Sequence, residues 1–135
     1  MALRDFQVAR KEVLAQGTSF SVRGLSFSDF SILFQAHRQD FEAVADLARA
    51  GTAESVSSLL GELAARFPLI AAHAISLAAD EPDAIAVVLS LPAPVVLDAL
   101  ISVAELTFVD PGAVPKFLAQ LTRAMQGASQ ALPTA

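Results

Sequence analysis

The sequence predicts a mainly α protein: a compact bundle of five to six helices with a short N-terminal β-hairpin. Apolar residues recur at helical spacing through most of the chain, and alternation at period two is confined to one stretch near the N-terminus. Turn residues fall between these segments, and a length of 135 residues supports one hydrophobic core rather than two. Residues 1–10 show no period and read as a flexible arm. Residues 11–126 read as a single helical domain, and the small, polar residues 127–135 as a disordered tail.

From Lys11 to Gly24 the chain alternates on both sides of Gln16-Gly17-Thr18, with Val13 and Ala15 before the turn and Phe20 and Val22 after it. A two-stranded hairpin alone is marginal in water, so Phe20 and Val22 are expected to rest on the helices that follow. Ser26 and Asp29 have the spacing of a capping box, and Leu25 can staple to Phe30. The helix opened there carries Phe27, Phe30, Phe34, His37 and Phe41 at spacings of three and four, with a bend expected at residues 37–40. Val44, Ala45 and Ala48 continue it to a stop at Gly51.

The next helix starts at Thr52 or Ala53. Val56, Leu59, Leu60, Leu63, Ala64 and Phe67 form its apolar face, and Glu62 and Arg66 are spaced as a surface pair. Pro68 ends it or opens its successor, which is apolar all round from Leu69 to Ala79, as a central helix is. An acidic turn over residues 80–83 leads to a short apolar run, Ala84 to Leu91, and Pro92 and Pro94 are expected to break the chain. Val95 to Val109 reads as a buried helix with one polar line, Asp98, Ser102 and Glu105. After a turn at Asp110-Pro111-Gly112, a last helix has Pro115 in its first turn and Phe117, Leu118, Leu121 and Met125 on its inner face.

Composition excludes several classes of function. The chain is 54% hydrophobic and 17% charged, which is little charge for a soluble domain. Without cysteine there is no disulfide scaffold, thiol nucleophile or cysteine-ligated metal. Nine basic residues and a net charge of −5 argue against nucleic acid as a partner. No uninterrupted apolar run reaches the roughly 18 to 20 residues of a spanning helix, and the mixed-charge start is not a secretory signal. The expected setting is therefore the cytoplasm, with no membrane partner. Charge is also uneven: residues 67–115 hold six acids and neither Lys nor Arg. These acids are either solvated helix ends or a docking surface for a basic partner, with Asp80, Glu81, Asp83, Asp98 and Glu105 as the candidates.

No motif with catalytic specificity is present, neither a glycine-rich phosphate loop nor a Gly-x-Ser-x-Gly elbow nor His-Glu-x-x-His. His37, Asp40 and Glu42 have a spacing common by chance, and His73 among Ile70, Ala74 and Leu77 reads as a hydrogen-bonded core histidine. Catalytic, metal and cofactor residues are accordingly expected to be none. Recognition remains, and the partner-binding candidates are Phe20, Val22, Arg23, Phe27, Phe30, Phe34 and Phe41. Structurally, Gly24 would allow an unusual backbone angle before the cap, and Arg23 would point to solvent.

The run Phe20-Ser-Val-Arg-Gly-Leu-Ser26 followed by Phe27-Ser-Asp-Phe30, with Leu91-Pro-Ala-Pro-Val-Val-Leu-Asp-Ala-Leu-Ile101 and Leu106-Thr-Phe108, resembles the tail assembly chaperones of long-tailed bacteriophages, also called pre-tape measure proteins. The resemblance covers most of residues 11–125. It implies a small helical protein of the host cytoplasm that binds the tape measure protein, keeps it soluble and helps recruit the tail tube protein. It also implies absence from the mature virion and, in many members, a longer frameshifted form. The alternative is a self-assembling structural component of the tail, such as a terminator or connector subunit. Both readings accommodate a homo-oligomer in which Arg4, Arg10, Lys11 and Arg23 meet the acidic middle of a neighbouring copy.

Overall fold

A computed structural model of the chain describes residues 2–49 and 56–108, together with Ala113, Lys116, Phe117, Gln120, Leu121, Arg123 and Ala124. A single 3-10 turn, Leu3–Asp5, precedes strands β1 (Arg10–Ala15) and β2 (Thr18–Arg23). Six helices follow among the described residues: α1 (Phe27–Ala36), α2 (Arg38–Arg49), α3 (Val56–Arg66), α4 (Pro68–Ala78), α5 (Ile85–Leu89) and α6 (Ala93–Thr107). The described positions between 113 and 124 are also helical. The mainly α class with an N-terminal hairpin is thus the observed one. The expectations for Gly51, Thr52 and Ala53, for the Asp110-Pro111-Gly112 turn, for Pro115, Leu118 and Met125, and for the 127–135 tail lie outside the described residues.

The hairpin turns over Gln16 and Gly17, whose φ angles of 43° and 87° are both positive. That two-residue geometry matches the natural twist of the strands it joins. Val13 pairs with Phe20 and Lys11 with Val22 in the antiparallel register. Val13 and Val22 enter one buried cluster with Ile75 and Ala78 of α4 and Ala99, Leu100 and Val103 of α6, and Phe20 packs against its edge. The helices therefore supply the support that two strands alone lack.

Ser26 caps α1 as its spacing predicts: its Oγ accepts from the Asp29 amide at 3.1 Å, and Asp29 accepts from the Ser26 amide at 2.8 Å. The bend falls at His37, whose φ and ψ of −127° and 36° separate α1 from α2. Pro68 opens α4 in its first turn rather than only ending α3. The break expected at Pro92 and Pro94 falls between α5 and α6, with Pro92 at the N-cap of α6 and Pro94 in its first turn. A proline there forfeits nothing, since first-turn N–H groups have no partner within the helix.

α4 is the central helix, with Ile70, Ala71, Ala72 and residues 74–78 buried. A second cluster on its other side joins Phe30, Leu33, Phe34 and Phe41 to Ala74, Leu77 and Leu121. Gly24 is needed for closeness rather than for an unusual angle: a Cβ there would lie 2.6 Å from the Leu106 carbonyl oxygen. No single helix among the described residues is long and apolar enough to cross a membrane. Ser57–Arg66 and Pro68–Ala78 reach that length only together, bent by 114°.

Candidate interaction site

The basic residues of the hairpin are spent inside the chain. Arg10 and Arg23 stand directly opposite each other across the strands, and both reach Asp80 just beyond the end of α4. Arg23 also donates to Asp29 at 2.6 Å, to the Gly24 carbonyl at 2.9 Å and to the Leu77 carbonyl at 3.0 Å. One guanidinium thus ties β2 to the start of α1 and the end of α4, and Arg23 does not simply point to solvent. Lys11 pairs with Glu105 of α6. Arg10, Lys11 and Arg23 thus meet Asp80 and Glu105 of their own copy, because the hairpin packs on α6 and beside the end of α4.

These contacts shift the ionisation of their members. The hydrogen bond to Asp29 leads the influences that raise the Arg23 guanidinium, with burial opposing it. Burial pushes the Asp29 carboxyl up, but the Arg23 and Ser26 hydrogen bonds and the Arg23 charge together hold it below the usual carboxylate range. Asp80 is lowered chiefly by its hydrogen bond from Arg10 and then by Arg23.

Of the other acidic candidates, Glu81, Asp83 and Asp98 are exposed, and none has an ion-pair partner among the described residues. Glu62 and Arg66, spaced as a pair, do not form one there either. The apolar candidates fall mostly inside. Val22, Phe30, Phe34 and Phe41 are buried, Phe20 is partly buried, and Phe27 is 69% exposed. Phe27 is the first residue of α1, where a side chain leaning towards the helix N-terminus finds no preceding turn to cover. Phe30 and Phe34 instead make edge-to-face contacts with Phe117 and Phe41, at centroid distances of 4.9 and 5.5 Å.

The two histidines, on separate elements, meet. His37 Nε2 lies 3.0 Å from His73 Nδ1, and the ring centroids are 5.2 Å apart. That separation is close to the N···N distance plus both ring radii, so the facing nitrogens aim at each other and share one hydrogen bond. Burial lowers both histidines; Asp40 opposes this at His37, and the neighbouring His37 adds to it at His73. Among the described residues no group of three or more His, Asp or Glu could hold a metal ion.

A cleft of about 450 Å³ runs between Phe6 and Val8 of the arm and Leu106 and Thr107, and a wholly apolar one lies elsewhere. α3, α4, α5 and α6 border a groove of about 350 Å³. Gly61, Ala64, Ala65 and Pro68 form one wall, Leu89, Leu91, Ala93, Val96 and Leu97 the other, with Ala71, Ala72 and Val88 between them. No lining residue has a polar side chain. Leu89 in the wall is itself half exposed, as are Leu69 and Val87 on the helices that border it. Sequence reasoning assigned the leucine face of α3 to the core and missed this groove. Its local signal is the row Gly61, Ala64, Ala65 and Pro68, small side chains running beside the large ones.

Fold and surface define a mainly helical protein with an apolar groove bordered by four of its helices. Comparison with known families makes the class specific: a protein of bacteriophage tail assembly, acting in the host cell and not of a known enzyme class. The chain matches the family model of pre-tape measure proteins over residues 1–135, and it belongs to that family. No curated protein and no solved structure matches it.

Proposed function

We propose that this protein is a tail assembly chaperone. It binds the tape measure protein, keeps that chain soluble in the cytoplasm of the host bacterium and helps recruit tail tube subunits. It self-associates while doing so and is not retained in the mature virion. The observation that carries this reading is the membership of the pre-tape measure family by a chain with an open groove lined only by apolar side chains. Burial of apolar area contributes about 25 cal/mol per Å², so a shared apolar surface can drive association without any chemistry, although lost freedom offsets part of the gain.

The test is co-expression with fragments of the tape measure protein encoded by the same phage. The chaperone reading expects the tape measure fragment to stay in the soluble fraction and to co-purify with this chain. Tape measure that precipitates equally with and without the folded chain contradicts it. Mass spectrometry of purified particles separates the alternative: a structural tail component is retained at fixed stoichiometry, whereas a chaperone is missing.

A further inference from the structure

We propose that the groove bordered by α3, α4, α5 and α6 takes one amphipathic helix of the partner protein, seated against Gly61 and flanked by Lys or Arg, an inference that rests on the chaperone reading above. Gly61 lies in the middle of α3, where glycine weakens a helix relative to alanine. A Cβ at Gly24 would strike the Leu106 backbone, but a Cβ at Gly61 meets nothing within 4 Å. Nothing described within the chain requires the missing side chain. The space it leaves opens into the groove, so what it accommodates comes from outside.

The wall chemistry selects the shape of the occupant. An extended segment would press unpaired N–H and C=O groups against side chains that can neither donate nor accept, whereas a helix satisfies its own backbone. This disfavours the chain's own N-terminal arm, from a second copy, as the occupant: Phe6 and Val8 lie on non-helical backbone.

Charge selects the flanks. Asp80 and Glu105 are neutralised by Arg10, Arg23 and Lys11. Glu81, Asp83 and Asp98 remain without partners among the described residues. Asp98 directly follows the groove residue Leu97, and Asp83 stands just before α5, whose Val88 and Leu89 line the groove. No Lys or Arg lies between residues 67 and 115 to offset them, and on the α3 wall Arg66 beside Ala65 is balanced by Glu62 beside Gly61, so the border of the groove stays net negative. A partner helix with basic flanks is steered into place, and one with acidic flanks is repelled. The hairpin bases Arg10, Lys11 and Arg23 of a second copy are already committed to that copy's own acids, which favours a different protein as the source.

Fluorescence anisotropy with two synthetic helical peptides of about 20 residues, sharing one apolar face and flanked by Lys or by Glu, tests this. The Lys-flanked peptide should bind roughly tenfold tighter or better, with a preference that shrinks as salt rises. Asp83→Lys with Asp98→Lys should erase the preference. Gly61→Leu should weaken binding of the Lys-flanked peptide by roughly tenfold; Ala65→Leu, at an exposed wall position, serves if the first variant fails to fold. Equal affinity for both peptides, or undiminished binding by the filled-groove variants, overturns the proposal. Tape measure capture by wild type and Gly61→Leu alike removes the groove while leaving the chaperone reading standing. Peptide binding with no tape measure capture removes the chaperone reading instead. Concentration-dependent mass in light scattering that Gly61→Leu abolishes would place a second copy in the groove and overturn the choice of partner.

Discussion

The hairpin side and the groove side of this molecule treat their surfaces in opposite ways. Where the hairpin meets the ends of α4 and α6, charges are matched within the chain, and Arg23 alone joins β2, α1 and α4. Around the groove the lining is wholly apolar and the nearby acids find no partner among the described residues. The excess of apolar residues over charges is therefore not spread evenly. On the hairpin side the chain matches its own charges, although Phe6, Val8 and Leu14 stay exposed; on the groove side neither the apolar lining nor the nearby acids are matched among the described residues.

The difference can be broken most forcefully at Arg23. Arg23→Ala leaves Asp29, whose side chain is only 8% exposed, as an unpaired buried carboxylate, and should cost about 3 kcal/mol or more in urea unfolding. Asp98→Ala on the groove side should stay within about 0.5 kcal/mol of wild type. Comparable losses at the two positions would erase the distinction.

The two glycines sharpen it. Gly24→Ala forces a methyl against the Leu106 backbone and should destabilise by about 1–3 kcal/mol. Gly61→Ala, with open space for its Cβ, should stabilise by about 0.5–1 kcal/mol. Thermal unfolding of both variants decides the matter, and a loss at Gly61 would mean that the groove is less open than its geometry shows.

A smaller effect is expected from pH. His37 and His73 are both lowered in the folded state, so the unfolded chain binds more protons as pH falls. Their contribution is fully present above the unfolded histidine value of about 6.5 and is lost as pH falls through the lowered folded values. Asp29 acts in the same direction at more acid pH: its contribution holds above about 4 and is lost as its own lowered value is passed. Urea midpoints should drop from about pH 7 to about pH 5 in wild type and stay nearly level in a His37→Gln/His73→Gln variant. Equal slopes would show that burial does not lower these histidines in the folded chain. The smallest change is at Ser76, buried in α4 with an Oγ that has no hydrogen-bond partner among the described residues. Ser76→Ala should raise stability by about 0.5–1 kcal/mol, and a measured loss would reveal a partner for that hydroxyl.

What was legible in the sequence is what local chemistry decides. The hairpin turn, the Ser26 cap and the bend at His37 each depend on a few neighbouring residues, and each stands close to where its spacing predicts. Pro92 and Pro94 mark the break between α5 and α6 for the same local reason, since proline fits only the first turn of a helix. The phenylalanine stripe was legible as a core face, but not the exposure of Phe27, which follows from where the helix starts. The partners of Arg10, Lys11 and Arg23 were hidden because they depend on how the hairpin packs against α4 and α6. The groove was hidden for the same reason: it exists only once four helices, separated in sequence, lie side by side.

Hydrogen exchange read by mass spectrometry, with and without a soluble tape measure fragment, tests the division of the two sides most directly. Slowed exchange should fall on residues 57–72 and 88–97, around the groove, with β1 and β2 unchanged. Slowing confined to the hairpin or to residues 2–9, with the groove helices exchanging as before, would contradict the account.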